Sequence, residues 1–197
     1  MPNNKANVST TKGVQGGYFF SAAEGVEDVP TAANFKTWTP STDSWEIQGY
    51  IPEDGFTESV SVDGGETLRD INLDTVDEAE GSYTETLEIG LMEIAKNPLA
   101  TQYGHENVTD AGGVITVDHN WGKSGETRAY ALLLLLKNGR KWVKFIPSAK
   151  VTDRGDFTGN KTTAAQRTVT LTYITDAAGS GCKDFIESNE TTATTNP

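Results

Sequence analysis

The chain has 197 residues, 36% of them hydrophobic and 9% aromatic, and a formal net charge of −12 at pH 7. That length suits one domain with a sizeable core, and the many Thr, Val, Gly and aromatic residues favour strands over helices. The acidic balance argues against a protein that holds DNA by counterion release, because its mean field repels phosphate.

Residues 1–16 are polar and Gly-punctuated and read as an N-terminal arm ahead of a domain spanning 17–187. They lack the apolar stretch of a signal peptide, so synthesis in a cytoplasm is expected, and the lone Cys182 suits a reducing compartment. The sequons at Asn7, Asn107, Asn160 and Asn189 are then chance matches in a Thr-rich chain. Trp38 and Trp45, in "TWTPSTDSW", flank Pro40 and stand either exposed or as plugs of an interface.

"RDINLDT" (69–75) alternates Ile71 and Leu73 with Asp70, Asn72 and Asp74, the period-two signature of a half-buried strand. "YTETLEIGLMEI" (83–94) begins as a strand and leads toward the one plausible helix, about residues 93–103, which Pro98 limits. "ITVDHNW" (115–121) places Ile115, Val117, His119 and Trp121 on one apolar face, with His119 a hydrogen-bonded structural residue and Trp121 in the core.

"AYALLLLL" (129–136) is apolar on both faces yet far short of the ~20 residues that span a bilayer, so no membrane segment is read here. It fits a central strand covered on both sides, by an opposing sheet and by a flanking helix or a neighbouring subunit. "KNGR" (137–140) supplies the Asn-Gly of a two-residue hairpin turn into the next strand. "TVTLTY" (168–173) sets Val169, Leu171 and Tyr173 opposite three threonines, and residues 188–197 form a polar C-terminal tail. Many strands and one helix predict a mainly β fold: an antiparallel sandwich or barrel with a flanking α-helix.

The charge is split. Residues 43–93 hold fifteen Asp/Glu against one Arg, and residues 121–167 hold ten Lys/Arg against three Asp/Glu. Either the two segments neighbour each other within the chain, or they are opposite sides of a subunit that packs head to tail. On the second reading Lys137, Arg140, Lys141 and Lys144 face Glu53, Asp54 and Glu58 of an adjacent copy.

Catalytic chemistry finds little support. His105 and His119 are the two histidines, neither with a metal-ligand spacing, and no Gly-x-Ser-x-Gly or Walker loop occurs. Cys182 in "GSGCKDF" lacks a signature of cysteine catalysis, and no cofactor or metal is expected. Asp70, Asn72 and Asp74 match the first three ligand positions of an EF-hand, but Thr75 stands where glycine is needed and Gly81 where the bidentate Glu is. A carboxylate pair for glycoside hydrolysis depends on distances no sequence states. The Lys-rich hairpin with Trp142 and Phe145 resembles a single-strand nucleic-acid platform, but snorkelling lysines on a half-exposed sheet account for it.

"GYIPEDGFTESVSVDGGETLRDINLDTV" (49–76) followed by "SYTETLEIGLMEI" (82–94) resembles the major tail tube proteins of long non-contractile-tailed bacteriophages, of the type found with Gram-positive and actinobacterial hosts. Its carriers are Gly49-Tyr50-Ile51, Glu53-Asp54-Gly55, Asp74-Thr75-Val76 and Tyr83-Thr84-Glu85-Thr86, with "FIPSAKVTDRGDF" (145–157) and "VTLTYITDAAGSGCKDFI" (169–186) at the positions of the last strands. The resemblance implies a β-sandwich with a flanking helix, six copies per ring and strands joined into a continuous inner barrel. It implies a virion tail that assembles on a tape-measure protein, meets tail terminator and distal tail proteins, and passes DNA, with no catalytic residues. The fold is shared with the type VI secretion tube, so function does not follow from fold alone. Asp70, Asn72 and Asp74 are the lumen-facing candidates, as an acidic surface repels passing DNA. Residues 52–66 are the candidate ring-bridging loop. The alternative is a monomeric β-sandwich that binds carbohydrate or a host surface through Trp38, Trp45 or Trp121.

Overall fold

A computed structural model of the chain describes residues 9–13, 18–78, 81–120, 122, 125–157, 159, 161–162, 164–175 and 179–189. Trp121 and most of the two termini lie outside them. In chain order the elements are β1 (Thr11–Gly13), β2 (Phe19–Ala23), β3 (Trp45–Ile47), β4 (Phe56–Asp63), β5 (Thr67–Arg69), β6 (Thr75–Glu78), β7 (Ser82–Leu91), α1 (Lys96–Tyr103), β8 (Val108–Ala111), β9 (Val114–Val117), β10 (Thr127–Leu136), β11 (Lys141–Arg154), β12 (Arg167–Tyr173) and β13 (Lys183–Ile186). One antiparallel sheet runs β3-β2-β10-β11-β12-β7-β4, with β1 added beside β10 and β13 beside β11. The hairpins β5–β6 and β8–β9 stand outside it. The fold is mainly β and antiparallel, consistent with a sandwich. Since β3 and β4 end the path, it does not close as a barrel.

The leucine run is β10, and both its faces are buried. Tyr130, Leu132 and Leu134 join Leu87, Ile89 and Leu91 of β7 and Val169, Leu171 and Tyr173 of β12 in one core, so the sheet folds back over itself. Ala129, Ala131 and Leu133 face a second core with Phe20, Val143 and Phe145, roofed by Phe35, Trp38 and Trp45. The second cover is therefore the chain's own segment between β2 and β3, not the helix or another subunit. Two hydrogen bonds hold that roof: Trp38 Nε1 donates to Asp28 Oδ1 (2.8 Å) and Trp45 Nε1 to the Asp28 carbonyl (2.9 Å). Trp38 and Trp45 are core residues, which removes them as a sugar platform.

Three other local expectations change. The β10–β11 connection is a single 3-10 turn, Lys137–Gly139, with Gly139 at φ 76° and Leu136 N–H bonded to Arg140 O, a three-residue loop in place of the two-residue one. "RDINLDT" is not a strand but the turn between β5 and β6. Asp70 Oδ1 accepts from the backbone N–H of Asn72 (2.8 Å) and Asp74 (2.9 Å), and these bonds hold the Asp70 carboxyl below the usual range. Its apolar residues face water, Ile71 being 97% exposed, and Leu73 takes the left-handed conformation at φ 67°. The same carboxylate is thus committed to its own backbone, which leaves no EF-hand loop. Finally, "ITVDHNW" is extended only to Val117; His119 is exposed and packs on the Tyr103 ring, 4.7 Å between centroids.

α1 begins at Lys96, and Pro98 sits in its first turn, where its missing N–H forfeits no helical bond. Gly104, at φ 92°, ends it and donates to the Ala100 carbonyl. Together with β8–β9 it forms a side lobe that polar groups latch to the body. Buried Gln48 donates to Ser21 Oγ (2.8 Å) and accepts from Thr101 Oγ1 (2.8 Å). Below the helix, His105 Nε2 meets Glu46 (2.8 Å), its Nδ1 meets Glu126, and Arg128 also reaches Glu46 (2.9 Å). Burial pulls the His105 imidazole down, but its hydrogen bonds to Glu126 and Glu46 outweigh this and hold it above the ordinary 6.5.

Leu132 is wholly buried in the centre of the sheet. Leu132→Ala should cost about 3 kcal/mol in urea unfolding, while Ile71→Ala at the exposed turn should stay within about 0.5 kcal/mol. The His105 latch has a defined pH sign. The folded chain holds this proton more tightly than the unfolded one, so its contribution is complete below about pH 6.5 and is lost as pH rises through the raised value. His105→Gln should therefore flatten the fall in the urea midpoint between about pH 6 and about pH 9; an unchanged profile would place the proton elsewhere.

Candidate assembly surfaces

Four strands, β4, β7, β12 and the second half of β11, lie side by side with one face on the core and one away from it. Alternation decides which residues turn outward. Leu87, Ile89, Val169 and Leu171 are buried, so their neighbours form the opposite face. Across the sheet these are Thr57 and Ser59 of β4, Thr86 and Glu88 of β7, Thr170 and Thr172 of β12, and Thr152 and Lys150 of β11, aligned by the strand register. Thr152 and Thr172 share a hydroxyl hydrogen bond of 2.8 Å across the β-bulge between Val151 and Asp153. The result is a surface of short hydroxyl side chains with few charges.

Both sides of this four-stranded unit are open. β4 has no partner on its outer edge among the described residues. At the other side, pairing of β11 with β10 stops at Lys150, so Val151–Arg154 pair with β12 alone among the described residues. β4 and the start of β7 also run past the core, leaving Val60, Val62 and Tyr83 exposed on the face that further along is buried. An uncovered edge of eight residues with exposed valines is an aggregation hazard unless another chain pairs with it.

The charged candidates separate into two groups. Lys144 and Glu58 meet within the chain: Lys144 Nζ is buried and lies 2.8 Å from Glu58 and 3.0 Å from Asp184. The Tyr173 hydroxyl donates to the same Glu58 oxygen (2.9 Å), and Cys182 Sγ lies 3.6 Å from Lys144 Nζ. Burial alone would lower the lysine, but the two carboxylates outweigh it and keep it charged; burial pushes the Cys182 thiol up to about 12, so it stays protonated. This cluster ties β4, β11 and β13 together, and Asp184 was hidden from sequence reasoning because nothing local marks its partner. Lys141 Nζ donates to the Trp38 carbonyl and Arg140 to that of Glu187, so both hold surrounding loops. Lys137, Glu53 and Asp54 are exposed, as are Asn72 and Asp74 at the β5–β6 turn, while Asp70 is half-buried against the backbone it caps.

A further site was not legible at all. Arg154 and Arg167, at the ends of β11 and β12, set their guanidinium groups over the Tyr103 ring at 5.2 and 5.5 Å, and Arg167 also lies 5.8 Å from the Phe157 ring. The only sequence signal was that both belong to the basic segment. Among the described residues, no three His, Cys, Asp or Glu side chains stand where they could share a metal ion, and no helix is long and apolar enough to cross a membrane.

No curated protein matches the chain. Among solved structures, a chain of "Cryo-EM structure of the anti-feeding prophage (AFP) baseplate, 6-fold symmetrised" is similar at a TM-score of 0.37 and 12% identity, covering 89% of this chain and 96% of that one. A likeness that distant says nothing of function. The model of the phage tail tube protein family, in contrast, matches residues 1–196. The chain belongs to the phage tail tube protein family, and is a structural protein of the virion tail.

Proposed function

We propose that six copies of this chain close into a ring by joining the open edge of β4 in one copy to the free stretch of β11 in the next. The four-stranded units then form one inner barrel, and stacked rings form a tube. The observation that carries this reading is the hydroxyl face bounded by two open edges: ring closure pairs both edges and turns that face into the lumen. A lining mostly of Thr and Ser offers passing DNA few cations to hold its phosphates, and the one lysine on the face, Lys150, is matched by Glu88. On this reading the lumen lining is that whole face: Thr57, Ser59, Thr86, Thr152, Thr170 and Thr172, with Glu88 and Lys150 as its charged members. Asp70, Asn72 and Asp74 sit on a hairpin outside the sheet. Glu53, Asp54 and Lys137 remain free for contacts between copies.

The tube is a conduit without catalytic chemistry. It is made in the host cytoplasm, assembles on a tape-measure protein, and is bounded by terminator and distal tail proteins. The sugar-binding alternative loses its best support with Trp38 and Trp45 buried in the second core.

Negative-stain microscopy of concentrated protein should show rings and tubes, and a species that stays monomeric at every concentration and salt would refute the conduit. The lumen assignment has its own test. In a Cys182→Ser background, Ser59→Cys should react readily with a bulky polymer-linked maleimide as free subunit. Within tubes its labelling should fall at least about tenfold, because the lumen excludes the polymer. Equal labelling in both states would place Ser59 on the outside.

A further inference from the structure

The β5–β6 hairpin and the Tyr103 groove have opposite character and lie at opposite ends of one sheet. The hairpin joins Asp63 of β4 to Ser82 of β7, while Arg167 pairs with Leu91 at the far end of β7. Ten residues of strand separate them, about 30 Å. Residues 64–81 carry six carboxylates against the single Arg69. The hairpin is also apolar where it is most exposed: Leu68, Ile71, Leu73 and Val76 are between 61% and 97% accessible. Such side chains on a turn gain nothing in an isolated subunit, and no core in this chain covers them.

At the other end, two adjoining cavities of about 320 and 340 Å³ share Tyr103, His119 and Arg167. One is polar and holds both Arg154 and Arg167; the other is lined by Leu91, Leu99, Phe157 and neighbouring apolar residues. Arg154 donates to the Gln102 carbonyl (3.1 Å), whereas buried Arg167 Nε has no hydrogen-bond partner among the described residues. Asp153 and Glu93 also border the groove. Ile94 and Phe157 are exposed beside it, at 65% and 54%.

We propose that this groove is the receptor for the β5–β6 hairpin of a second copy in the adjacent ring, with Ile71 and Leu73 entering its apolar half and Asp74 meeting Arg154 and Arg167. The inference rests on the tube reading above. Complementary patches at the two ends of one subunit make a contact that repeats without closing, which is the geometry of a filament. The acid–arginine match sets the register between rings and disfavours stacking of like ends. It also moves the ring-bridging element from residues 52–66 to the hairpin beyond them.

Crosslinking of the full-length chain tests this. In a Cys182→Ser background, the pair Ile71→Cys and Phe157→Cys should give, on mild oxidation of tubes, a ladder of covalent multimers running beyond dimer. Each single cysteine should give none. Asp74→Lys and Arg167→Glu should each raise the protein concentration needed for tube growth at least about tenfold while rings still form, and their combination should restore growth substantially. Ile71→Asp, at a side chain that touches no core, should block stacking without touching the fold. Wild-type-like tubes from Arg167→Glu, or well-formed tubes of the cysteine pair that yield no ladder, would overturn the docking and leave the conduit intact. Protein that makes neither rings nor tubes would instead overturn the conduit reading itself.

Discussion

The fold depends on a strand that cannot be left half-covered. β10 presents Tyr130, Leu132 and Leu134 to one side and Ala131 and Leu133 to the other, and all five are essentially inaccessible. A sheet with one wet face would strand one of these rows in water, at a cost on the order of 1.5–3 kcal/mol for each large side chain. The chain meets this demand with two unlike covers. One is sheet on sheet, as β7 and β12 fold over the first row. The other is the irregular segment after β2 together with the start of β3, where Phe35, Trp38 and Trp45 supply bulk that a short loop otherwise lacks. Small side chains at Ala129 and Ala131 leave room for those indoles.

Because the interior is satisfied within one subunit, the surfaces left over are informative. The hydroxyl face, the open edge of β4, the apolar hairpin tip and the arginine groove are not remnants of an incomplete core. Each lies on the four-stranded unit or at one of its ends. Lys144, the one charged side chain buried among the described residues, is answered by Glu58 and Asp184, and its removal would leave those carboxylates facing each other. That pair also explains why the acidic and basic segments of the chain need not both point outward. Part of the split charge is consumed in holding β4 and β13 against β11.

Sequence reasoning was sound where a local rule governs. Alternation identified the inward residues of β12, and continuous apolarity identified β10 as buried on both faces. It failed where alternation arose for another reason. "RDINLDT" alternates because a turn places Asp70 to accept two backbone N–H groups and leaves Ile71 and Leu73 outside, so period two there reports hydrogen bonding and not a pleat. Trp38 and Trp45 looked like loop residues because their partners, Leu133 and Phe145, lie about a hundred residues away. Arg154 and Arg167 converge on Tyr103 only after three separate elements are assembled, and no spacing could have shown it.

Edge and end surfaces also divide the work of assembly in energetic terms. A backbone edge such as β4 pairs with any strand of matching length, so it supplies affinity with little discrimination. Charge pairs at solvent-exposed sites contribute little affinity but penalise wrong partners by leaving like charges together. A subunit carrying −12 would resist crowding into any polymer through its own repulsion. Placing Asp70, Asp74 and Asp77 on one short hairpin, opposite two arginines stacked on a tyrosine, turns part of that repulsion into a directional preference. Parallel head-to-tail stacking brings acid to arginine, whereas inverted stacking brings acid to acid. A tube that must have one polarity along its whole length is better served by this arrangement than by a larger apolar contact of no defined direction.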